Sequence, residues 1–415
     1  MKLLFLHQNF PGQFRHLVTA LAQDPANEVV ALGQRKPAET GLVAPRLEYI
    51  RYQPKRTPSA STHRYLVGLE SAVLAGQAVV EVLARLKQRG FAPDVVVAHP
   101  GWGESLYVRE IFPAAKVVNF CEFYYHSEGA DSGFDPTIPL TLDARARLRT
   151  RNSLHLLNLE QCDVAVAPTW WQKSVHPTAY QSKIEVIHEG VDTDAACPDA
   201  EATFELPDGQ TLRAGQRVVT YVARKLEPYR GFPQFLQALA FLQARDPEVQ
   251  ALVIGADGVS YGSPPPGGGH WREQLVAQLP LDMARTHFLG AVPYQRYLRA
   301  LQVSAAHVYL TYPFVLSWSM LEAMSCGCLV LGSRTAPVQE VLQDGHNGLL
   351  VDFFDTAALA TRLAEVLADP AAYVAIRAAA RRSVLDRYPR SAGTAAWEAL
   401  LRRLTQPYTY KHPHS

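Results

Sequence analysis

One pattern constrains this chain more than any other: short apolar, β-rich runs alternate with longer segments of helical spacing, and the alternation starts twice. Parallel neighbouring strands need a crossover between them, and a helix is the usual crossover, so the pattern predicts βαβ units and parallel sheets. In the first half the expected strands are Leu3 to Leu6, Val29 to Leu32, Val95 to Ala98, Val117 to Phe120 and Val164 to Ala167. Helical patterns lie between them, notably Tyr65 to Arg89 and Leu140 to Glu160. After a polar stretch, Asp192 to Gln216, with turn signals P-D-A-E and P-D-G-Q, alternation resumes. The second set is Val218 to Val222, Ala251 to Ile254, His287 to Leu289, His307 to Leu310 and Leu329 to Leu331. The reading is two doubly wound α/β domains. Domain boundaries are expected at 1–195, a linker at 196–216, a second domain at 217–390, and a helix and tail at 391–415 packing back on the first domain. A final helix, Ala371 to Leu404, is expected to break or bend at Tyr388-Pro389.

With 415 residues the chain exceeds what one core accommodates, which fits two domains. A formal net charge of +1 gives no global attraction to nucleic acid, so no nucleic-acid partner is expected. Five cysteines, Cys121, Cys162, Cys197, Cys326 and Cys328, lack paired metal spacing and fit a reducing compartment, hence a cytoplasmic protein. No apolar run is expected to approach the roughly 20 residues a membrane span needs. The run Arg145 to Arg151 offers a contact to an anionic membrane or acceptor, although a solvated helix face explains it more simply. Weak association with the inner face of a membrane stays an expectation on that basis.

Doubly wound sheets bind ligands beyond the C-terminal ends of their strands, so the loops there carry the functional reading. The loop His7 to His16 (H-Q-N-F-P-G-Q-F-R-H) offers Gly12 for close backbone approach and Gln13 as a donor. The loop A-H-P-G-W-G-E-S supplies His99, Trp102 and Glu104, and N-F-C-E-F-Y-Y-H supplies Glu122, Tyr124, Tyr125 and His126. Polar and aromatic residues on successive strand ends point to an acceptor or sugar site. In the second half Y-V-A-R-K-L-E-P-Y-R-G-F places Arg224 and Arg230 on one strand-to-helix loop, where arginines pair with phosphate oxygens. Farther on, Leu316-Ser317-Trp318-Ser319 opens a helix whose backbone N–H groups suit a diphosphate. Glu322, one turn deeper, is placed to accept hydrogen bonds from two ribose hydroxyls. Ser260 to His270 (S-Y-G-S-P-P-P-G-G-G-H) reads as an exposed loop or a lid.

These second-half blocks resemble the family 4 (group 1) glycosyltransferases. The resemblance rests on the Arg224–Arg230 segment, I-G-A-D-G, H-F-L-G-A-V-P-Y, S-M-L-E-A-M-S-C-G-C-L-V-L-G-S and A-P-V-Q-E-V-L-Q-D-G-H-N-G-L-L-V-D, with I-H-E-G-V-D before them. It implies the GT-B fold, two Rossmann-like parallel-sheet domains facing a central cleft, the first for acceptor and the second for a nucleotide sugar. It further implies retaining, metal-independent transfer from a nucleotide-diphosphate sugar, with no cofactor, to a glycan, lipid-linked, protein or small-molecule acceptor. Arg224 and Arg230 match the cations that hold the donor diphosphate, and Glu322 matches the second glutamate of the signature pair. The first falls eight residues earlier, on Phe314. Ser317, Trp318 and Ser319 occupy the phosphate turn, and Leu289 lies where backbone recognises the base. His126, with Glu122 as an alternative, matches the first domain's active-site histidine. Asp192 and Asp194 (D-T-D) look like a metal motif, but turn and cap roles are expected there. Phe314 leaves two other readings open: a noncatalytic nucleotide-sugar-binding partner subunit and, behind it, a nucleotide-sugar epimerase.

Overall fold

The computed structural model describes residues 1–406 and divides into two compact units, one of residues 1–190 with the final helix from Arg390, the other of residues 191–389. The nine residues of the expected tail that follow Gln406 lie outside the described residues.

The first unit is built on seven strands: β1 (Lys2–Leu6), β2 (Glu28–Gly33), β3 (Leu47–Arg51), β4 (Val95–Ala98), β5 (Lys116–Phe120), β6 (Val164–Ala167) and β7 (Ile184–Val186). All pair in parallel, in the order β3-β2-β1-β4-β5-β6-β7. The chain reverses its progress across the sheet between β1 and β4, so the loops after these two strands flank the switch point where such sheets take ligands. Strands β1 and β4 are buried on both faces apart from Lys2, as central strands between helical layers must be. Helix Val67–Gln88 covers one face through Ala75, Val79, Val82, Leu83 and Leu86. By length and composition this helix is apolar enough to cross a membrane, contrary to the sequence expectation, yet its apolar side is core. On the other face Trp397, Leu400 and Leu401 of the closing helix Arg390–Thr405 pack with Phe14, Leu17 and Phe120. Gly393 makes that approach feasible, since a Cβ there would lie 2.4 Å from the His188 carbonyl oxygen.

Near the start of the second unit, residues 196–216, read from sequence as a linker, carry an antiparallel hairpin, β8 (Thr203–Glu205) and β9 (Thr211–Arg213). Phe204 and Leu212 alternate inward and join the core, which overrides the polar composition of the segment. The sheet comprises β10 (Val218–Lys225), β11 (Gln250–Ala256), β12 (Thr286–Gly290), β13 (Ala306–Tyr309), β14 (Leu329–Ser333) and β15 (Leu349–Val351), all parallel in the order β12-β11-β10-β13-β14-β15. Its switch point lies between β10 and β13, so the loops carrying Arg224 to Gly231 and Leu310 to Ser317 meet there. Gly231 takes a left-handed φ of +67°, and a Cβ on it would stand 2.4 Å from Leu310 Cβ. The expected closing helix is two helices, Val374–Arg387 and Arg390–Thr405, separated at Tyr388-Pro389.

Candidate functional sites at the two switch points

In the first unit, four polar side chains converge beyond β1, β4 and β5. Glu122 follows β5 with its side chain about a third exposed (35%). Its Oε1 accepts a hydrogen bond from Gln13 Nε2 at 2.9 Å, and Gln13 Oε1 lies 2.8 Å from His7 Nε2. His99 Nε2 approaches Glu122 Oε2 at 3.4 Å. The Trp102 ring stacks on His99 with centroids 4.3 Å apart and stands 5.0 Å from His7. Burial raises the Glu122 pKa, but the hydrogen-bonding and charge effects of His99, Gln13 and His7 outweigh it and hold the carboxyl below its usual range. The structure thus brings together Gln13, His99, Trp102 and Glu122. Gly12 has φ +48°, and the space its Cβ would need is filled by the His7 ring, 2.3 Å away at Nε2. Its glycine identity therefore serves the packing of His7.

Glu104 is not with them. It is buried at 1% exposure, its Oε1 accepts the Tyr52 hydroxyl, and burial raises its pKa. An acceptor-site role is corrected to a core one, because the carboxyl turns inward from its turn to meet the buried Tyr52 hydroxyl. Tyr124 is also buried, ringed by His126, His155 and His176 at centroid distances of 5.5, 6.4 and 6.0 Å. His126 Nε2 lies 2.5 Å from the Val175 carbonyl oxygen, which commits that nitrogen as a donor. Tyr125 is held by Asn152, whose Oδ1 accepts from the Tyr125 N–H at 3.1 Å while its Nδ2 donates to the Tyr125 carbonyl at 2.8 Å. This clamp sits at Asn152, where the expected helix 140–160 divides into Leu142–Arg151 and Ser153–Gln161. The Arg151 guanidinium lies 3.8 Å over the Tyr125 ring.

In the second unit the two arginines differ. Arg224, at the end of β10, has an exposed side chain. Arg230 is buried, and its Nη1 donates toward Thr311 Oγ1 (2.7 Å), the Val315 carbonyl (3.0 Å) and Tyr309 Oη (3.2 Å). Arg230 therefore ties the loop after β13 to the loop after β10. Tyr309 Oη also accepts the Ser317 N–H at 2.7 Å. Ser317 caps helix Trp318–Ser325, its Oγ accepting the Ser319 N–H at 3.3 Å and the Ser319 hydroxyl at 3.0 Å. Some donors of the helix start are thus already engaged within the protein. Trp318, Leu316 and Leu289 are partly buried against the same core.

Glu322 is nearly buried, and both its oxygens are engaged: Tyr294 Oη donates to Oε1 at 2.8 Å and Tyr297 Oη to Oε2 at 2.7 Å. Burial raises its pKa despite these two bonds. Phe314 packs against Tyr261 (4.8 Å) and edge-on against Tyr229 (5.6 Å), so an aromatic cluster stands at this position. Tyr261 is delivered by the Ser260–His270 loop. That loop is anchored at its start, where the buried Glu227 carboxylate accepts the N–H groups of Ser260 (3.0 Å), Tyr261 (3.3 Å) and Gly262 (2.9 Å). Asp192 Oδ1 accepts the Ala195 N–H at 3.2 Å, a turn role. Sequence reasoning missed His7, Glu227, Tyr261, Tyr294, Tyr297 and Tyr309. Of these, all but Tyr297 lay inside segments already singled out, but nothing in those segments marked them individually.

The profile described as "Glycosyl transferase family 4 group" matches residues 25–196, and that of "Glycosyl transferases group 1" matches residues 204–383. Among curated relatives, a D-inositol 3-phosphate glycosyltransferase of Rhodococcus jostii is 28% identical over 56% of this chain and 48% of its own length. A GDP-mannose-dependent alpha-(1-6)-phosphatidylinositol monomannoside mannosyltransferase of Mycolicibacterium smegmatis is 26% identical over 54% of this chain and 58% of its own. The chain spans about half the length of the curated relatives it matches. Among solved structures, a sucrose-phosphate synthase from Thermosynechococcus elongatus superposes with a TM-score of 0.73 at 20% identity, covering 97% of this chain and 99% of that one. The Anabaena protein HepE in complex with UDP gives a TM-score of 0.68 at 18% identity, covering 97% and 100%. At these identities the structural likeness establishes the fold.

Proposed function

The chain belongs to the family 4, group 1 glycosyltransferases of the GT-B fold, and we propose that it transfers a hexosyl group from a nucleotide-diphosphate sugar to an acceptor hydroxyl, with retention and without a bound metal. The observation that carries this reading is the second unit's switch point. There an exposed arginine, Arg224, a helix start at Ser317 and a carboxylate at Glu322 follow one another on loops locked together by Arg230.

In this reaction the bond from the anomeric carbon to the leaving diphosphate breaks and a bond to the acceptor oxygen forms on the same face. The acceptor proton passes to the departing phosphate. The protein's main task is to stabilise developing negative charge on the diphosphate. Arg224, not drawn inward by a buried partner, meets that charge directly, and Arg230 keeps the phosphate turn in shape. Trp318 and Ser319 open the helix toward the same charge, and Glu322 takes the ribose hydroxyls. In the first unit Glu122, His99 and Trp102 present a polar and aromatic face to the transferred sugar or acceptor. Relatives named for inositol phosphate and phosphatidylinositol mannoside acceptors support a polyhydroxylated acceptor. The five free cysteines support a reducing, cytoplasmic setting.

Phe314 and the two tyrosines on Glu322 favour a second reading, a nucleotide-sugar-binding subunit without turnover. Incubation with a panel of nucleotide sugars and polyol acceptors, with products resolved by NMR, separates the two. Transfer with the anomeric form kept, lost in Arg224→Ala by at least about a hundredfold, supports the transferase. Binding of nucleotide with no donor consumed under any condition selects the second reading.

A further inference from the structure

The polar cluster of the first unit is a directional chain whose polarity is set by two backbone groups. The Asn9 N–H donates to His7 Nδ1 at 3.0 Å, so the proton of the neutral ring resides on Nε2. Nε2–H then donates to Gln13 Oε1, which turns the Gln13 amide nitrogen toward Glu122 Oε1. His99 is fixed in the same way: the Gly101 N–H donates to its Nδ1 at 3.2 Å, leaving Nε2–H toward Glu122 Oε2. At 3.4 Å that contact is long and weak, and His99 Nε2, on a residue 5% exposed, has no other partner among the described residues. A buried donor so weakly satisfied gains from a ligand hydroxyl that accepts from it.

The His7 ring cannot move aside. Gly12 yields it the space of a side chain, Phe14 meets it edge-on at 5.6 Å, and Trp102 lies 5.0 Å away. Burial, then the neighbouring His99, lower its pKa to about 3, so it stays neutral and keeps one tautomer at ordinary pH. With the proton on Nδ1 instead, Gln13 would have to flip and set its carbonyl oxygen against the carboxylate.

We propose that His7 is a positioning residue which, through Gln13, fixes the Glu122 carboxylate so that Glu122 Oε2 and His99 Nε2–H together receive one substrate hydroxyl. His99 donates to the hydroxyl oxygen and Glu122 accepts its hydrogen. The inference rests on the glycosyl-transfer reading for the identity of the substrate, and on geometry alone for the chain itself.

Two measurements test it on the full-length protein. With 15N-labelled histidine, long-range proton–nitrogen spectra of the unliganded protein between pH 8 and 4.5 report tautomers directly. His7 and His99 are expected as Nε2–H forms, with His7 not titrating. An Nδ1–H tautomer at His7, or titration near its free pKa of about 6.5, overturns the proposal whether or not transfer is ever detected. In the transfer assay, His7→Leu should lower kcat/KM about tenfold, and His7→Gln, whose amide reaches the place of Nε2–H, should restore most of it. Equal losses in the two variants, tracking their thermal midpoints, would mark His7 as merely structural. Absence of transfer in the unmodified protein would defeat the proposed function and leave the tautomer result to decide the chain.

Discussion

Each oxygen of Glu322 accepts one tyrosine hydroxyl and keeps a second lone pair, so the carboxylate is satisfied without ligand and still able to accept. The two tyrosines are not equivalent. Both lie on helix Tyr294–Gln302, one turn apart, but Tyr297 is 8% exposed and Tyr294 45%. Tyr297→Phe strips the inner oxygen of its partner where water does not replace it, and should lower stability by about 1–2 kcal/mol. Tyr294→Phe leaves the outer oxygen open to solvent or to a ribose, with a stability change within about 0.5 kcal/mol. Calorimetric titration with nucleoside diphosphates should then show Tyr294→Phe binding as well as the unmodified chain or a few-fold tighter. Weaker binding in that variant would mean that Tyr294 remains in place and that ligand uses only the second lone pairs. Arg230 shows the same economy. It keeps the charge expected of a phosphate ligand but directs one nitrogen into Thr311, Val315 and Tyr309, so its first effect is on the shape of the turn that Arg224 faces.

Among the elements, the Ser260–His270 segment departs most from its composition. Glycine and proline forbid regular structure there, yet Glu227 captures three successive N–H groups at its start and Tyr261 rests on Phe314. Glu227→Ala should release residues 259–264 without unfolding β10. Hydrogen exchange of the Ser260–Gly262 amides should accelerate by at least about tenfold while exchange in β11 is unchanged; unaltered exchange at Ser260–Gly262 would show that the aromatic contact alone holds the loop. What could be read from sequence follows the same physics. The central strands β1, β4, β5 and β13 and the first half of β10 are buried on both faces, apart from the first residues of β1 and β5, and appear as short, mostly apolar runs. The edge strand β3 (L-E-Y-I-R) and the short β7, β8 and β9 are half exposed, carry charges and give no such signal. Site residues on the loops after strands, such as Gln13, His99 and Glu122, were legible because the loop position advertises them, and Glu322 was legible from its place one turn into the helix after β13. Their partners were not: Tyr294 and Tyr297 come from a helix 25 to 28 residues earlier, and nothing local marks a tyrosine that will donate to a distant carboxylate.

At the scale of the molecule the two units divide their buried titratable groups unequally, and acid should reveal it. His7, His155, His176 and His188 belong to the first unit, and burial lowers their pKa values to about 3, 3, 4 and 4. In the second unit His307 is lowered to about 3, while the shift of His287 is smaller. For each such histidine the unfolded chain binds a proton near pH 6.5 that the folded chain refuses until far lower pH. Unfolding therefore takes up protons between these values, and stability falls as pH drops through the unfolded pKa. At pH 5.5 each such histidine, His7 and His176 buried and His155 and His188 partly buried, costs on the order of 1 kcal/mol, so the first unit loses several times what His307 costs the second. The raised carboxyl of Glu104 works in the opposite direction but is one group against four. The closing helix Arg390–Thr405 shares this fate, because its Trp397, Leu400 and Leu401 complete the first unit's core. Thermal unfolding followed by tryptophan fluorescence and calorimetry at pH 7.5 and 5.5 should resolve an early transition that moves down strongly on acidification and a later one that moves little. Hydrogen exchange should assign the early transition to residues 1–190 together with the closing helix. Parallel shifts of both transitions would mean that the buried histidines of the first unit gain protons without unfolding it, and that their neutral state is not what holds that core together.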